Sequence, residues 1–152
     1  MLSKKAKYAI RAMLHLARRR ATGPILVKEI AAQERIPQKF LEGILGELTG
    51  AGFLLSKTGK GGGYLLRLPP AQITLGRLMR QIDGPLAPIP CVSQMAYAPC
   101  ADCPDEKICL VRMVMKQVRD ATAQILDKTT LEQLLQQEEQ LSKAAGVLDF
   151  HI

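Results

Sequence analysis

Four cysteines stand within nineteen positions of this chain, as Cys91-x8-Cys100-x2-Cys103-x5-Cys109, and the other 133 residues contain none. Thiolates are the ligands that zinc and iron-sulfur clusters prefer, and four of them complete a coordination sphere without help from histidine. The donor set therefore predicts a metal or cluster site, and a [4Fe-4S] cluster, a [2Fe-2S] cluster and zinc are all compatible with it. A redox thiol switch or four structural cysteines are the competing readings. The structural one is weakened by a segment rich in proline and charge, which has little core to fill. No apolar run approaches the roughly 18 to 20 residues of a membrane span, and Met1-Leu2-Ser3-Lys4-Lys5 leads into a charged amphipathic segment rather than a signal-peptide core. The expectation is a cytoplasmic protein with reduced thiols and no membrane partner.

Other chemistry is poorly represented. The two histidines, His15 and His151, fall inside the first helical segment and beside the terminus, and no nucleophile, base and orienting residue can be assembled around either. Lys60 is followed by three glycines and a strand-like run, whereas a phosphate-cradling loop needs its lysine to open a helix. The chain is therefore read as a non-enzyme.

Charge supplies the next constraint. Residues 1–70 carry thirteen Lys or Arg against four Glu, a balance of +9, while residues 71–152 carry eight against ten Asp or Glu, a balance of −2. Positive charge confined to one half points to a polyanion, either nucleic acid or a membrane surface. The order of elements selects nucleic acid. A first helix is expected from Ser3, a plausible N-cap, to about Arg20, with Tyr8, Ala9, Ile10, Met13, Leu14, Leu16 and Ala17 at helical spacing. Thr22-Gly23-Pro24 ends it, and Val27 to Gln33 forms a short second helix. A third starts near Gln38 after Ile36-Pro37, buries Phe40, Leu41, Ile44, Leu45 and Leu48, and stops at Gly50-Ala51-Gly52.

Two strand-like runs follow, Phe53 to Lys57 and Tyr64 to Leu68, around the cationic glycine-rich tip Thr58-Gly59-Lys60-Gly61-Gly62-Gly63. A helix-turn-helix continued by a basic hairpin is a winged helix-turn-helix, and the expected class is mainly α with that domain over residues 1–83. Candidate DNA contacts follow from its geometry. Gln38, Lys39, Phe40 and Glu42 begin the third helix, Lys57, Thr58, Gly59 and Lys60 form the wing, and Lys4, Lys5 and Lys28 can meet phosphates.

Beyond the cysteine loop, assigned to residues 84–108, Leu110, Val114, Val118, Ala121 and Ile125 lie on one stripe of a helix from about Cys109 to Leu126. One long stripe behind a loop needs a partner and is read as a dimer seam. Thr129 to Leu141 forms a further helix carrying Leu131, Leu134 and Leu135 and capped by Thr129 or Thr130. The long dimerisation helix and this C-terminal helix occupy residues 109–142, and residues 143–152 are expected to form a flexible tail.

Leu2-Ser3-Lys4-Lys5-Ala6-Lys7-Tyr8-Ala9-Ile10-Arg11-Ala12-Met13, Ile36-Pro37-Gln38-Lys39-Phe40-Leu41-Glu42, Gly59-Lys60-Gly61-Gly62-Gly63-Tyr64-Leu65-Leu66 and a Cys-x5-Cys entering a helix extend over nearly the whole chain. Together they resemble the bacterial winged-helix transcription regulators that include IscR, NsrR and CymR. The resemblance implies a homodimer on double-stranded operator DNA and, for many members, an iron-sulfur cluster beside a long dimerisation helix whose state controls DNA affinity. Cys103 and Cys109 match the last two cysteines of the usual three, and the first is either Cys91 or Cys100. Arg112 stands where some members have a histidine ligand, and Lys7 near where others have a carboxylate; neither cation ligates iron. Thr58 replaces an arginine that many members place before the wing glycine, which puts minor-groove reading there in doubt.

The expectation is thus a repressor or activator that senses oxidants, nitric oxide or iron-sulfur supply. A cluster-free or zinc- or thiol-based regulator is the alternative, and a small electron-transfer protein a more distant one.

Overall fold

The computed structural model describes residues 2–149; His151 and the end of the expected tail lie outside the described residues. Helix α1 (Lys4–Arg18) begins where Ser3 Oγ accepts from the Ala6 amide at 2.9 Å, so the N-cap read from the sequence is the one used. Its inward face is small and apolar, with Ala6, Ala9, Ala12, Met13 and Leu16 buried, and other elements approach it closely. Helices α2 (Val27–Glu34) and α3 (Gln38–Gly50) pack on it and on each other. Leu41, Ile44, Leu45 and Leu48 of α3 are 1% exposed or less, and Ile30 and Ala31 of α2 join the same core.

Phe40 departs from the expected buried stripe. It is 43% exposed, because a residue one position before Leu41 lies about 100° around the helix, at the edge of the apolar face.

Strands β1 (Leu54–Lys57) and β2 (Gly63–Leu66) pair antiparallel, with Leu54 opposite Leu66 and Lys57 opposite Gly63. Ile25 adds a rung, exchanging backbone hydrogen bonds of 2.9 and 2.8 Å with Tyr64. That closeness fixes the wing's glycines. A Cβ on Gly63 would overlap the Ile25 backbone, and one on Gly62 would overlap the Lys57 and Gly59 carbonyls.

Helix α4 (Leu75–Asp83), which the sequence reading left unassigned, is capped by Thr74, whose Oγ1 accepts from the Arg77 amide at 3.2 Å, and buries Leu78 against α1. A long loop with two short 3-10 turns leads to α5 (Leu110–Lys128), and α6 (Leu131–Asp149) closes the chain. Thr130 and Gln133 cap α6 reciprocally, Gln133 N to Thr130 Oγ1 at 3.2 Å and Thr130 N to Gln133 Oε1 at 3.0 Å. The expected tail from residue 143 instead begins as helix as far as Asp149. Lys143, Ala144 and Ala145 are good helix formers, and Lys143 pairs with Glu139 one turn back at 2.8 Å.

Both C-terminal helices are tied to the winged helix. Leu131 is fully buried in the N-terminal core, and Thr74 and Thr130 form a backbone bridge. Arg80 grips Asp127 with hydrogen bonds of 2.5 and 2.9 Å, over Gly76, where any Cβ would overlap the carboxylate. Arg18 donates two hydrogen bonds of 2.7 Å to Glu138. Among the described residues no helix is long and apolar enough to cross a membrane.

Candidate nucleic-acid interface and cysteine centre

The first turn of α3 presents Gln38, Lys39, Phe40 and Glu42 to solvent. Gln38 Nε2 donates to Glu42 Oε1 at 3.1 Å, an i,i+4 pair that holds both polar groups together on the outer face. The Phe40 ring meets Tyr8 edge-on, with centroids 5.8 Å apart and planes at 74°, and the Lys4 ammonium lies 5.8 Å from the Tyr8 centroid. Lys28, Lys57, Thr58, Gly59 and Lys60 are all exposed, and the four candidate cations Lys28, Lys39, Lys57 and Lys60 have no carboxylate within ion-pair distance among the described residues. Lys5 is different: its Nζ is 2.5 Å from Glu47 Oε2 of α3, so its charge is engaged in holding α1 to α3.

Arg35, absent from the sequence-based candidates, sits exposed in the turn between α2 and α3. Its φ of 53° is a left-handed conformation that usually selects glycine or asparagine. The only hint in the sequence is its place directly before Ile36-Pro37, where α2 must end.

In the second half of the chain, Cys109 is the N-cap of α5, and its Sγ accepts from the Arg112 amide at 3.4 Å. Burial chiefly, then interaction with the Cys109 thiol and the charge of Cys100, pushes the Cys103 thiol up. Cys91 is buried in the turn Pro90–Val92. Its carbonyl accepts from Arg112 Nε at 3.3 Å, and the neighbouring Val92 carbonyl accepts from Arg119 Nη1 at 2.6 Å.

Arg112 thus touches Cys109 with its backbone and Cys91 with its side chain. The first turn of α5 carries Cys109 as its cap and is tied through Arg112 to the backbone of Cys91. Cys100 is exposed, and its thiol donates to Asp102 Oδ1 at 2.8 Å, the main reason its pKa is raised. Among the described residues no three Cys, His, Asp or Glu side chains stand together as a single metal-holding group.

Sequence reasoning treated Arg112 only as a residue unable to ligate and missed Arg119 altogether. Their spacing of seven, two turns on one helix face, was a readable signal; what they hold was not.

The family model for Rrf2, described as an iron-dependent transcriptional regulator, matches residues 2–137. The chain belongs to the Rrf2 family. Its Rrf2-family relatives include an rrf2-like HTH-type transcriptional regulator of Rhodobacter capsulatus, 42% identical over 138 residues that cover 89% of this chain and 92% of the relative. Another is the HTH-type transcriptional regulator CymR of Bacillus subtilis, 32% identical with 88% of each chain covered.

Solved structures agree with the Rrf2 assignment. That of CymR, the global cysteine regulator of B. subtilis, superposes with a TM-score of 0.73, covering 88% of this chain and 95% of the other at 32% identity. IscR of T. potens gives 0.74 at 26% identity, covering 93% and 90%. The winged-helix class and the resemblance to these regulators are therefore established, and this Rrf2 protein is a DNA-binding transcriptional regulator.

Proposed function

We propose that this regulator is a homodimer whose affinity for operator DNA is set by an iron-sulfur cluster held in the cysteine loop. The place of Cys109 as the N-cap of α5, with the Cys91 carbonyl bound by Arg112 of the same turn, carries the reading, because the same helix presents Leu110, Val114, Val118 and Ile125 to solvent at 73%, 46%, 43% and 66% exposure. A helix with no buried residue and one apolar stripe is a seam awaiting a second copy.

The donor chemistry fits a cluster. Cys103 and Cys109 would supply two thiolates at the head of α5, the Arg112 contact ties the Cys91 backbone to the same turn, and Cys100, on the exposed 94–102 segment, would close in to complete a set of four from one chain. When bound, a cluster supplies an assembly that oxidants or nitric oxide can dismantle. The chain's residues transmit the consequence. Arg112 and Arg119 fasten the Cys91 segment to α5, and Arg80–Asp127 fastens α5 to α4, which packs on α1 of the winged helix. Release of the loop then alters how α5 seats in the dimer and how far apart the two α3 helices stand.

Anaerobic purification with iron, sulfide and zinc analysis and visible absorption, repeated for single Cys→Ala variants, tests the centre. The expected result is iron and sulfide together, lost in Cys103→Ala and Cys109→Ala. Stoichiometric zinc without sulfide would replace the cluster by the zinc-bound regulator that the same thiolates suit. Gel-shift titrations of loaded and stripped protein test control, and equal affinities would remove it while leaving DNA binding in place.

A further inference from the structure

We propose that Phe40 is a specificity-determining residue that recognises thymine, its exposed edge packing on the 5-methyl group of one thymine in each operator half-site. This rests on the assignment of α3 as the helix that enters the major groove.

Phe40 is the third residue of α3, within the turn where side chains of a recognition helix reach base edges. The other exposed residues at the start of that helix, Gln38, Lys39 and Glu42, are polar, so Phe40 is the one large apolar group exposed there. Leaving such a ring 43% exposed is unfavourable in the free protein. Tyr8 holds the other part of the ring edge-on at 5.8 Å, so it meets DNA already oriented and little side-chain freedom remains to be lost. Lys4, over the Tyr8 ring, and Lys39, next in sequence, give this apolar spot a cationic surround that phosphates would occupy.

Phenylalanine has no hydroxyl with which to bond a phosphate or a base acceptor. The apolar group that base edges offer in the major groove is the thymine methyl. A ring that is apolar, pre-positioned and rimmed by lysines therefore matches thymine better than any other base.

The test begins by selecting operator duplexes from a randomised library with the full-length protein as isolated, then replacing each thymine singly by uracil, which keeps base pairing and removes only the methyl. In wild-type protein one position per half-site should lose about fourfold in affinity, the worth of one buried methyl group. The Phe40→Ala protein should bind thymine and uracil duplexes alike at that position. Phe40→Leu, which keeps an apolar side chain, should retain a reduced preference and serves if the alanine variant fails to fold. The proposal is overturned if no uracil replacement weakens wild-type binding, or if the Phe40 variants lose affinity equally for both duplexes. Failure to enrich any duplex would instead overturn the placement of α3 in the groove, and the thymine contact with it.

Discussion

Gly63 and Arg112 show how much a single residue decides in this molecule. Gly63 has a φ of 138° and lies against the Ile25 backbone, so Gly63→Ala must both strain the chain and break the rung that seats the wing. A loss of about 1–3 kcal/mol is expected, read as a fall in the unfolding midpoint with weakened DNA binding. Gly61, at φ 75° with nothing near its Cβ position, is the control and should cost only about 1 kcal/mol on replacement by alanine. Arg112 is tested by thiol reactivity. Peptide mapping after timed alkylation of metal-free protein should find Cys100 labelled first and Cys91 last, since one is exposed and the other buried. In the Arg112→Ala, Arg119→Ala double variant Cys91 should react several-fold faster. An unchanged rate would mean that the two guanidiniums do not hold the turn.

Two ion pairs join elements that lie far apart in the sequence, and both respond to acid. Hydrogen bonds from Arg80 hold the Asp127 carboxyl below its usual 3.8, and those from Arg18 hold Glu138 below its usual 4.5. Both carboxyls have a folded pKa below the unfolded one, so their contribution to stability is complete above the unfolded values. It is lost as pH falls through the folded values, which lie below those of the unfolded chain. Both pairs are substantially exposed, so each is worth at most about 1 kcal/mol. Unfolding midpoints measured from pH 6 to 3 should therefore fall less steeply below pH 4 in an Asp127→Asn, Glu138→Gln variant than in wild type. Parallel curves would remove these pairs from the docking of α5 and α6. The α5 stripe is legible in sequence because its spacing repeats every three or four residues; the partners of Asp127 and Glu138 are not, because 47 and 120 residues separate the paired side chains.

At the scale of the whole molecule, basic charge and an uncovered apolar helix lie on different parts of the same chain. Val118→Glu should convert a dimer to a monomer in sedimentation or light scattering, since a carboxylate in the centre of an apolar seam is left without a partner. The monomer should also bind DNA far more weakly, as one winged helix then grips only one half-site. A dimer that persists in Val114→Glu, Val118→Glu protein would place the seam elsewhere. Salt gives an independent measure of the interface. If six to ten phosphates are neutralised, operator affinity should fall roughly 10³- to 10⁵-fold between 50 and 200 mM salt. A shallow slope would show that Lys4, Lys28, Lys39, Lys57 and Lys60 make few of those contacts.

Local pattern alone determined the winged helix. The Ser3 cap, the Leu41, Ile44, Leu45, Leu48 stripe and the glycine-rich tip between two apolar runs each follow from interactions within a few residues, and each reappears in the fold. Missing from that reading is α4, whose Thr74 cap and Leu75, Leu78, Met79 and Ile82 spacing follow Leu68-Pro69-Pro70 inside residues 1–83. The cysteines were legible as a crowded segment, but their separate environments were not. Spacing left Cys91 and Cys100 equivalent, whereas the fold buries Cys91 beside the Arg112 side chain and leaves Cys100 in solvent facing Asp102. Tertiary structure alone could decide this, because a helix turns Arg112 and Arg119 onto one face and only the folded chain brings residues 91 and 92 back within reach of it.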